Sequence, residues 1–172
     1  TYALMREKGL PLTIKGFNLI DREEAFMSNL AEKIPLIGRL VKASSRAYTG
    51  FLNKLRADVF DDLVNTAQKQ GLDITGKIGN DIAKFVGSAT GRGNIGVLEN
   101  SAVTLNSVFF SPRLMASRLN LLNPVYYAKL DPFVRKEALK SLLTFSGTGL
   151  SILGLAKMGG MEVGVDPRSA DF

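Results

Sequence analysis

The chain has 172 residues, which is enough for one domain with a single hydrophobic core and too few for two domains that each bury a sizeable core. It contains no cysteine and no histidine, which excludes disulfide frameworks, zinc sites built from Cys or His, cysteine nucleophiles and a histidine general base. Its 22 basic residues against 16 acidic ones give a net charge of +6, which favours polyanionic partners such as nucleic acid or anionic lipid.

Both ends of the chain look like parts of a longer polypeptide. Residues 2–8 read as the middle of an element, and residues 163–172 stop without an obvious terminal helix. We therefore expect a fragment of a longer chain, whether its ends are processing sites or arbitrary boundaries.

The first seventy residues carry two helix signals. Asp21 followed by two glutamates predicts a short helix that ends before Pro35, because the residue before a proline avoids the α region. A longer periodic segment runs from Ile37 to Gln70, and Gly71 is placed to end it. We predict one long amphipathic helix here, with Gly50 as the position where a bend would fall.

An apolar stripe defines the predicted buried face of the long helix. Its members are Leu40, Ser44, Tyr48, Phe51, Leu52, Leu55, Val59 and Leu63. Arg46 and Arg56 lie near the edge of this stripe, and we interpret them as structural arginines that pair with nearby aspartates or backbone carbonyls.

Residues 71–110 form a connector punctuated by glycine. A short helix from about Asp81 to Ser88 is plausible within it, with Ile82, Phe85 and Val86 buried. A further helix is expected over 98–109.

Three Xaa-Pro pairs predict the remaining helix starts. Ser111, Asn123 and Asp131 can each cap a helix whose first residue is the following proline, where the missing N–H costs nothing. The third of these helices should run to about Met158. No stretch alternates with period two and no hairpin turn signal appears, so we predict an all-α fold of six or seven helices.

We expect the chain to form a single helical module over 1–172. Its parts would be a long-helix region over 20–70, the glycine-punctuated connector over 71–110, and short basic helices followed by an apolar helix over 111–160.

The sixteen residues from Ser141 to Ala156 carry no charge and lie between Lys140 and Lys157. As a helix they span roughly 24 Å at about 1.5 Å per residue, short of the ~30 Å hydrocarbon core of a bilayer. One interpretation is a buried element that closes the core. The other is a segment that meets a membrane or packs against copies of itself. The candidate residues for this second role are Gly147, Leu150, Ile152, Leu153 and Gly154.

Residues 111–140 hold six basic and two acidic side chains, the densest positive region of the chain. The candidate polyanion-binding residues are Arg113, Arg118, Lys129, Arg135, Lys136 and Lys140. Tyr126, Tyr127 and Phe133 lie among them in sequence. Arginines near helix N-termini can bind phosphate or carboxylate. The alternative is a solvated face, or salt bridges between the short helices.

No sequence motif predicts a catalytic site. Residues 91–96 match GxGxxG, but the dinucleotide fingerprint requires a preceding strand, and residues 82–89 look helical. The adjacent acids 23–24 and 61–62 point apart on a helix, and Glu99 lacks a partner carboxylate nearby in the sequence. We predict no enzyme activity, no catalytic residue, no cofactor and no metal site.

Several short runs resemble segments of very large tailed-phage proteins, known as large polyvalent proteins, which are similar to internal virion or ejection proteins. The runs are 22–26, 46–48, 51–58 with Phe60, 109–113, 117–118 and 166–172. The resemblance implies that this chain is packaged inside a virion and enters the host with the DNA. It carries over no assigned chemistry, because enzymatic activities in such chains usually sit in other segments.

The resulting hypothesis is a structural or assembly module of a phage virion-associated protein that helps genome delivery across the host envelope. Its partners would be other virion subunits or copies of itself, with DNA and the host membrane as further candidates, and its location would be the virion and then the host envelope. The alternative is a phage- or plasmid-encoded nucleic-acid-binding accessory module. An enzyme fragment completed by residues outside this chain is a third option.

Overall fold

A computed structural model describes residues 2–13, 37–93 and 111–164 of the chain. Every regular element within these ranges is a helix, which confirms the all-α prediction. The six helices described are α1 (Tyr2–Glu7), α2 (Ile37–Lys69), α3 (Lys77–Ala89), α4 (Pro112–Leu122), α5 (Pro124–Lys129) and α6 (Pro132–Met158). The predicted helices near 21–34 and 98–109 lie outside the described residues.

The chain divides into two compact units. The first unit is Thr1–Val134 and the second unit is Arg135–Phe172, so the boundary falls within the first turn of α6. The prediction of a single module over 1–172 stays a prediction.

Helices α4, α5 and α6 begin at the three predicted prolines. The Asn123 side chain accepts a hydrogen bond from the backbone N–H of Val125 at 2.9 Å, so it caps α5 as predicted. Asp131 does the same for α6, because its Oδ1 accepts from the backbone N–H of Phe133 at 2.9 Å. The predicted Ser111 cap is wrong: Ser111 adopts a left-handed φ of 54° and its side chain makes no capping bond to α4.

Helix α2 ends at Lys69, and Gly71 lies just after it as the predicted terminating glycine. Gly71 has a φ of +72°, which glycine adopts without the steric cost that a Cβ would bring. Its N–H donates to the carbonyl of Gln68 at 2.9 Å, and the N–H of Leu72 donates to that of Ala67 at 3.0 Å. This pair of bonds is the Schellman motif, which satisfies carbonyls that the helix end would leave unpaired.

The buried face of α2 lies about one residue further along than the sequence indicated. Its buried residues are Gly38, Arg56, Phe60, Leu63, Val64 and Ala67. The predicted stripe is confirmed at Leu63, which is buried. It is wrong at five positions that are exposed: Leu40, Ser44, Tyr48, Phe51 and Leu55. The helix runs unbroken through Gly50. Spacing alone could not place the face, because it depends on where α1 and α3 pack against α2.

Arg56 is completely buried and joins α2 to the end of α3. Its Nε donates to Thr90 Oγ1 at 3.0 Å, and its Nη2 donates to the Thr90 carbonyl at 3.3 Å. A buried guanidinium requires such partners, since an unsatisfied buried charge is expensive. The prediction that Arg56 is a structural arginine paired with a carbonyl is thus confirmed.

Helix α3 lies at the centre of the first unit, packed against α2 and α4. Ile82, Phe85 and Val86 are buried, as predicted. Just beyond α3, the backbone of Gly93 lies against α4: a Cβ at this position would come 2.2 Å from the Ser117 backbone nitrogen. Only glycine allows the chain to pass α4 this closely.

Candidate functional site

Helix α6 begins within the core of the first unit. Phe133 and Val134, in its first turn, are both buried. The Asp131 cap fixes the direction in which the helix starts. The N-terminal end of α6 is therefore held by packing and by a capping hydrogen bond together.

Asp81 connects α3 to the start of α6. Its side chain is only 4% exposed and forms ion pairs with Lys77 and with Lys84, the latter at 3.4 Å. The same carboxylate accepts a hydrogen bond from the backbone N–H of Asp131 at 2.9 Å. Burial alone would raise the pKa of Asp81, but the hydrogen bonds from Lys77 and Asp131 and the two lysine charges outweigh it, so the pKa is lowered from 3.8.

The uncharged stretch Ser141–Ala156, called here the apolar segment, is helical throughout and projects almost all of its side chains into solvent. Phe145 is 80% exposed and Leu150 is 69% exposed. The other large apolar side chains of the segment that are exposed are Leu143, Ile152, Leu153 and Leu155. None of the described residues buries the segment, so the interpretation of a buried element that closes the core finds no support among them.

Helix α6 is, among the described residues, the one helix long and apolar enough to cross a membrane. Core helices of soluble proteins can pass the same test, but they are mostly buried. Only 6% of the corresponding stretch of α6 is buried. Exposure of a continuous apolar surface on this scale is typical of a surface that meets a partner or a lipid phase.

Small residues share one face of the apolar segment. Thr144, Gly147, Ser151 and Gly154 follow each other at spacings of three and four residues, which places them in one row along the helix. Apart from the backbone of α6 itself, no atom of the described residues lies within 4 Å of where a Cβ at Gly147 or Gly154 would be. The Ser151 hydroxyl donates to the Gly147 carbonyl at 2.8 Å, so this polar group is satisfied within the helix.

Basic residues lie at both ends of the apolar segment. Arg135, Lys136 and Lys140 precede it and are called here the basic flank; Lys157 follows it. Lys136 and Lys140 are exposed and Arg135 is partly exposed. The Lys140 ammonium is exposed and lies 3.6 Å from the carboxylate of Glu137, whose side chain is only 16% exposed.

The other predicted polyanion-binding residues belong to the first unit and differ in exposure. Arg118 and Lys129 are exposed, so each can meet a phosphate group. Arg113 is only 6% exposed and contributes to the packing of α4.

The aromatic residues between these basic positions serve the core. Tyr127 and Phe133 are buried, and the Tyr127 hydroxyl donates to the Leu121 carbonyl at 2.7 Å. Tyr126 packs edge-on against Tyr127 with ring centroids 5.4 Å apart. Burial raises the pKa of both tyrosines. The buried rings of Tyr127 and Phe133 are not available for stacking with a nucleic-acid base.

The described residues give no constellation for metal binding, since no group of three or more Asp or Glu side chains comes together in them. The residues before Gly91 form helix α3, so no strand precedes the GxGxxG sequence. Glu99 and the acids at 23–24 lie outside the described residues.

Sequence reasoning missed Asp81. The signal was present: Lys77 and Lys84 stand four residues before and three residues after it, the spacings at which helical side chains meet. What the sequence could not show is the contact with Asp131, fifty residues away along the chain.

The chain was compared with protein-family models, curated proteins and solved structures. It matches no family model, and no curated protein or solved structure is significantly similar to it. The likeness to tailed-phage virion proteins therefore stays a prediction based on the short runs of residues given above.

Proposed function

We propose that this chain is a structural module of a phage virion-associated protein in which helix α6 enters a lipid bilayer during genome delivery. In this proposal the first unit is the folded helical body, and the apolar segment is the part that leaves water. Other copies or other virion subunits assemble with it through their helices.

The single observation that carries the proposal is the exposure of the apolar segment. Burying one Leu, Ile or Phe side chain is worth roughly 1.5–3 kcal/mol. Six such side chains of the segment are exposed, so transfer into hydrocarbon has a large driving force. The backbone brings no opposing cost, because a helix satisfies its own N–H and C=O groups in lipid.

The flanking charges support the same interpretation. The apolar segment spans roughly 24 Å, and the hydrocarbon core of a bilayer is about 30 Å thick. Lys140 and Lys157 can bridge the difference by extending their side chains toward the headgroups, assisted by local thinning of the bilayer.

The resemblance to phage proteins supplies the biological setting. A virion protein that must pass an envelope needs apolar surface that is covered in the particle and released on infection. A helix face lined by Gly147 and Gly154 permits close approach of a neighbouring helix in either setting.

Co-flotation with liposomes tests the proposal. We expect the 172-residue chain to float with vesicles and the Leu150→Asp variant to lose at least tenfold of its bound fraction, because an aspartate at the centre of an inserted helix costs about 3 kcal/mol. Leu119→Asp is the matched control, since Leu119 is similarly exposed but lies in α4.

The control should float as well as the original chain. Absence of flotation by the unaltered chain would remove the proposal. Equal losses for Leu150→Asp and Leu119→Asp would show non-specific adhesion of apolar surface and would also contradict it.

A further inference from the structure

We infer that α6 inserts in one direction, with its C-terminal end crossing an anionic bilayer while the basic flank stays at the headgroups of the leaflet first met. The inference rests on the proposed function and adds the partner, an anionic lipid surface, and the side on which each end of the helix finishes.

The first argument is the asymmetry of charge. Residues 132–140 contain three basic side chains and one acidic one, whereas residues 157–172 contain two basic side chains and three acidic ones. Basic residues near the end of a membrane helix hold that end on the side from which it came, and anionic lipid strengthens the effect. The C-terminal end therefore has fewer basic side chains than the N-terminal end, and its net charge is −1 against +2.

The second argument is what each end is joined to. The N-terminal end of α6 begins in the core of the first unit, where Phe133 and Val134 are buried and Asp81 binds the backbone of Asp131. Crossing by this end would require the first unit to unfold. At the other end α6 stops at Met158, and the N–H groups of Gly160 and Met161 donate to the carbonyls of Lys157 and Ala156 at 3.1 and 3.0 Å, so these two carbonyls of the last turn are already paired.

The absence of cysteine allows a direct test with single-cysteine variants of the 172-residue chain. Met161→Cys reports the C-terminal end, and Ala128→Cys reports the first unit; both positions are exposed. Each variant is mixed with phosphatidylglycerol-containing vesicles and treated with a membrane-impermeant maleimide, added outside in one set and trapped inside the vesicles in the other.

We expect external labelling of Met161→Cys to fall at least tenfold on adding vesicles and the trapped reagent to label it. Ala128→Cys should be labelled only from outside. Vesicles of pure phosphatidylcholine should give at least threefold less internal labelling, and replacing Lys136 and Lys140 by glutamine should remove most of the difference between the two lipids.

Several outcomes would overturn the inference. If the chain floats but Met161→Cys stays open to the external reagent, the helix lies on the surface and only the orientation fails. Internal labelling of Ala128→Cys would reverse the direction. Protection of Met161→Cys without vesicles would identify a second copy of the chain as the cover. Failure to float at all removes the proposed function itself.

Discussion

At the scale of single residues, Asp81 is the buried charge whose neighbours are best defined. Asp81→Asn keeps the shape and one acceptor oxygen but removes the charge that faces Lys77 and Lys84. Both lysines are more than half exposed and regain water, so we expect a loss of about 1–2 kcal/mol in the free energy of unfolding. Denaturant unfolding at neutral pH measures this loss.

The effect should depend on pH in a defined direction. Because the folded-state pKa of Asp81 lies below 3.8, its contribution is present above that value and is lost as the pH falls through the folded-state pKa. The difference between the original chain and Asp81→Asn should therefore shrink from about pH 6 to about pH 3. Asp58→Asn is the control, since Asp58 forms an exposed pair with Lys54 and its replacement should change stability by less than about 0.5 kcal/mol. A difference that grows in acid would contradict the assignment.

At the scale of elements, the crossing of residues 90–93 over α4 gives a second prediction. Gly93→Ala places a Cβ where the Ser117 backbone stands, so the loop or α4 must shift, and we expect a loss of at least about 2 kcal/mol in unfolding free energy. Gly50→Ala is the matched control, because no atom lies within 4 Å of its Cβ position and alanine favours a helix interior by up to about 1 kcal/mol. Thermal unfolding should separate the two in opposite directions, and equal shifts would refute the close contact.

The sequence predicted where the helices begin and end better than it predicted which of their faces are buried. Proline at N1 and glycine after a helix act locally. The helix starts and the helix end predicted from them were therefore correct, at Pro112, Pro124, Pro132 and Gly71. The Ser111 cap was wrong because that residue adopts a left-handed conformation and its side chain makes no capping hydrogen bond. The buried face of α2 also depended on where α3 lies, which periodicity along one helix does not contain.

The same limit applies to the candidate site. Lack of charge from 141 to 156 was evident in the sequence, and so was the basic flank. The sequence did not show whether the segment closes a core or is exposed to solvent, because a buried helix and a membrane-inserted helix have the same composition. The difference between Arg113, which is buried, and Arg118, which is exposed, likewise follows from the rotation of α4.

At the scale of the whole molecule, the net charge of +6 keeps nucleic-acid binding as the second candidate function. We expect weak, sequence-independent binding to duplex DNA whose affinity falls as salt rises, because phosphate contacts release counterions. Replacing Arg118 and Lys129 by glutamine should reduce the slope of log affinity against log salt by about 2, roughly one for each lost contact. Fluorescence anisotropy over a tenfold range of salt measures this, with Arg46→Gln as a control for general charge. A flat response would argue against phosphate contacts.

The two ends of helix α6 differ strongly in their stability against local unfolding. In water its distal half contains Gly147, Gly149 and Gly154, each costing about 1 kcal/mol in helix propensity relative to alanine. No other element that the structure describes packs over these three positions. The turn next to Asp131 is capped and lies partly in the core. Warming in solution will therefore fray α6 from Gly160 inward, and hydrogen exchange will reach the amides of the first turn last. In hydrocarbon no water competes for the backbone, so the same amides along the distal half become the slowly exchanging ones.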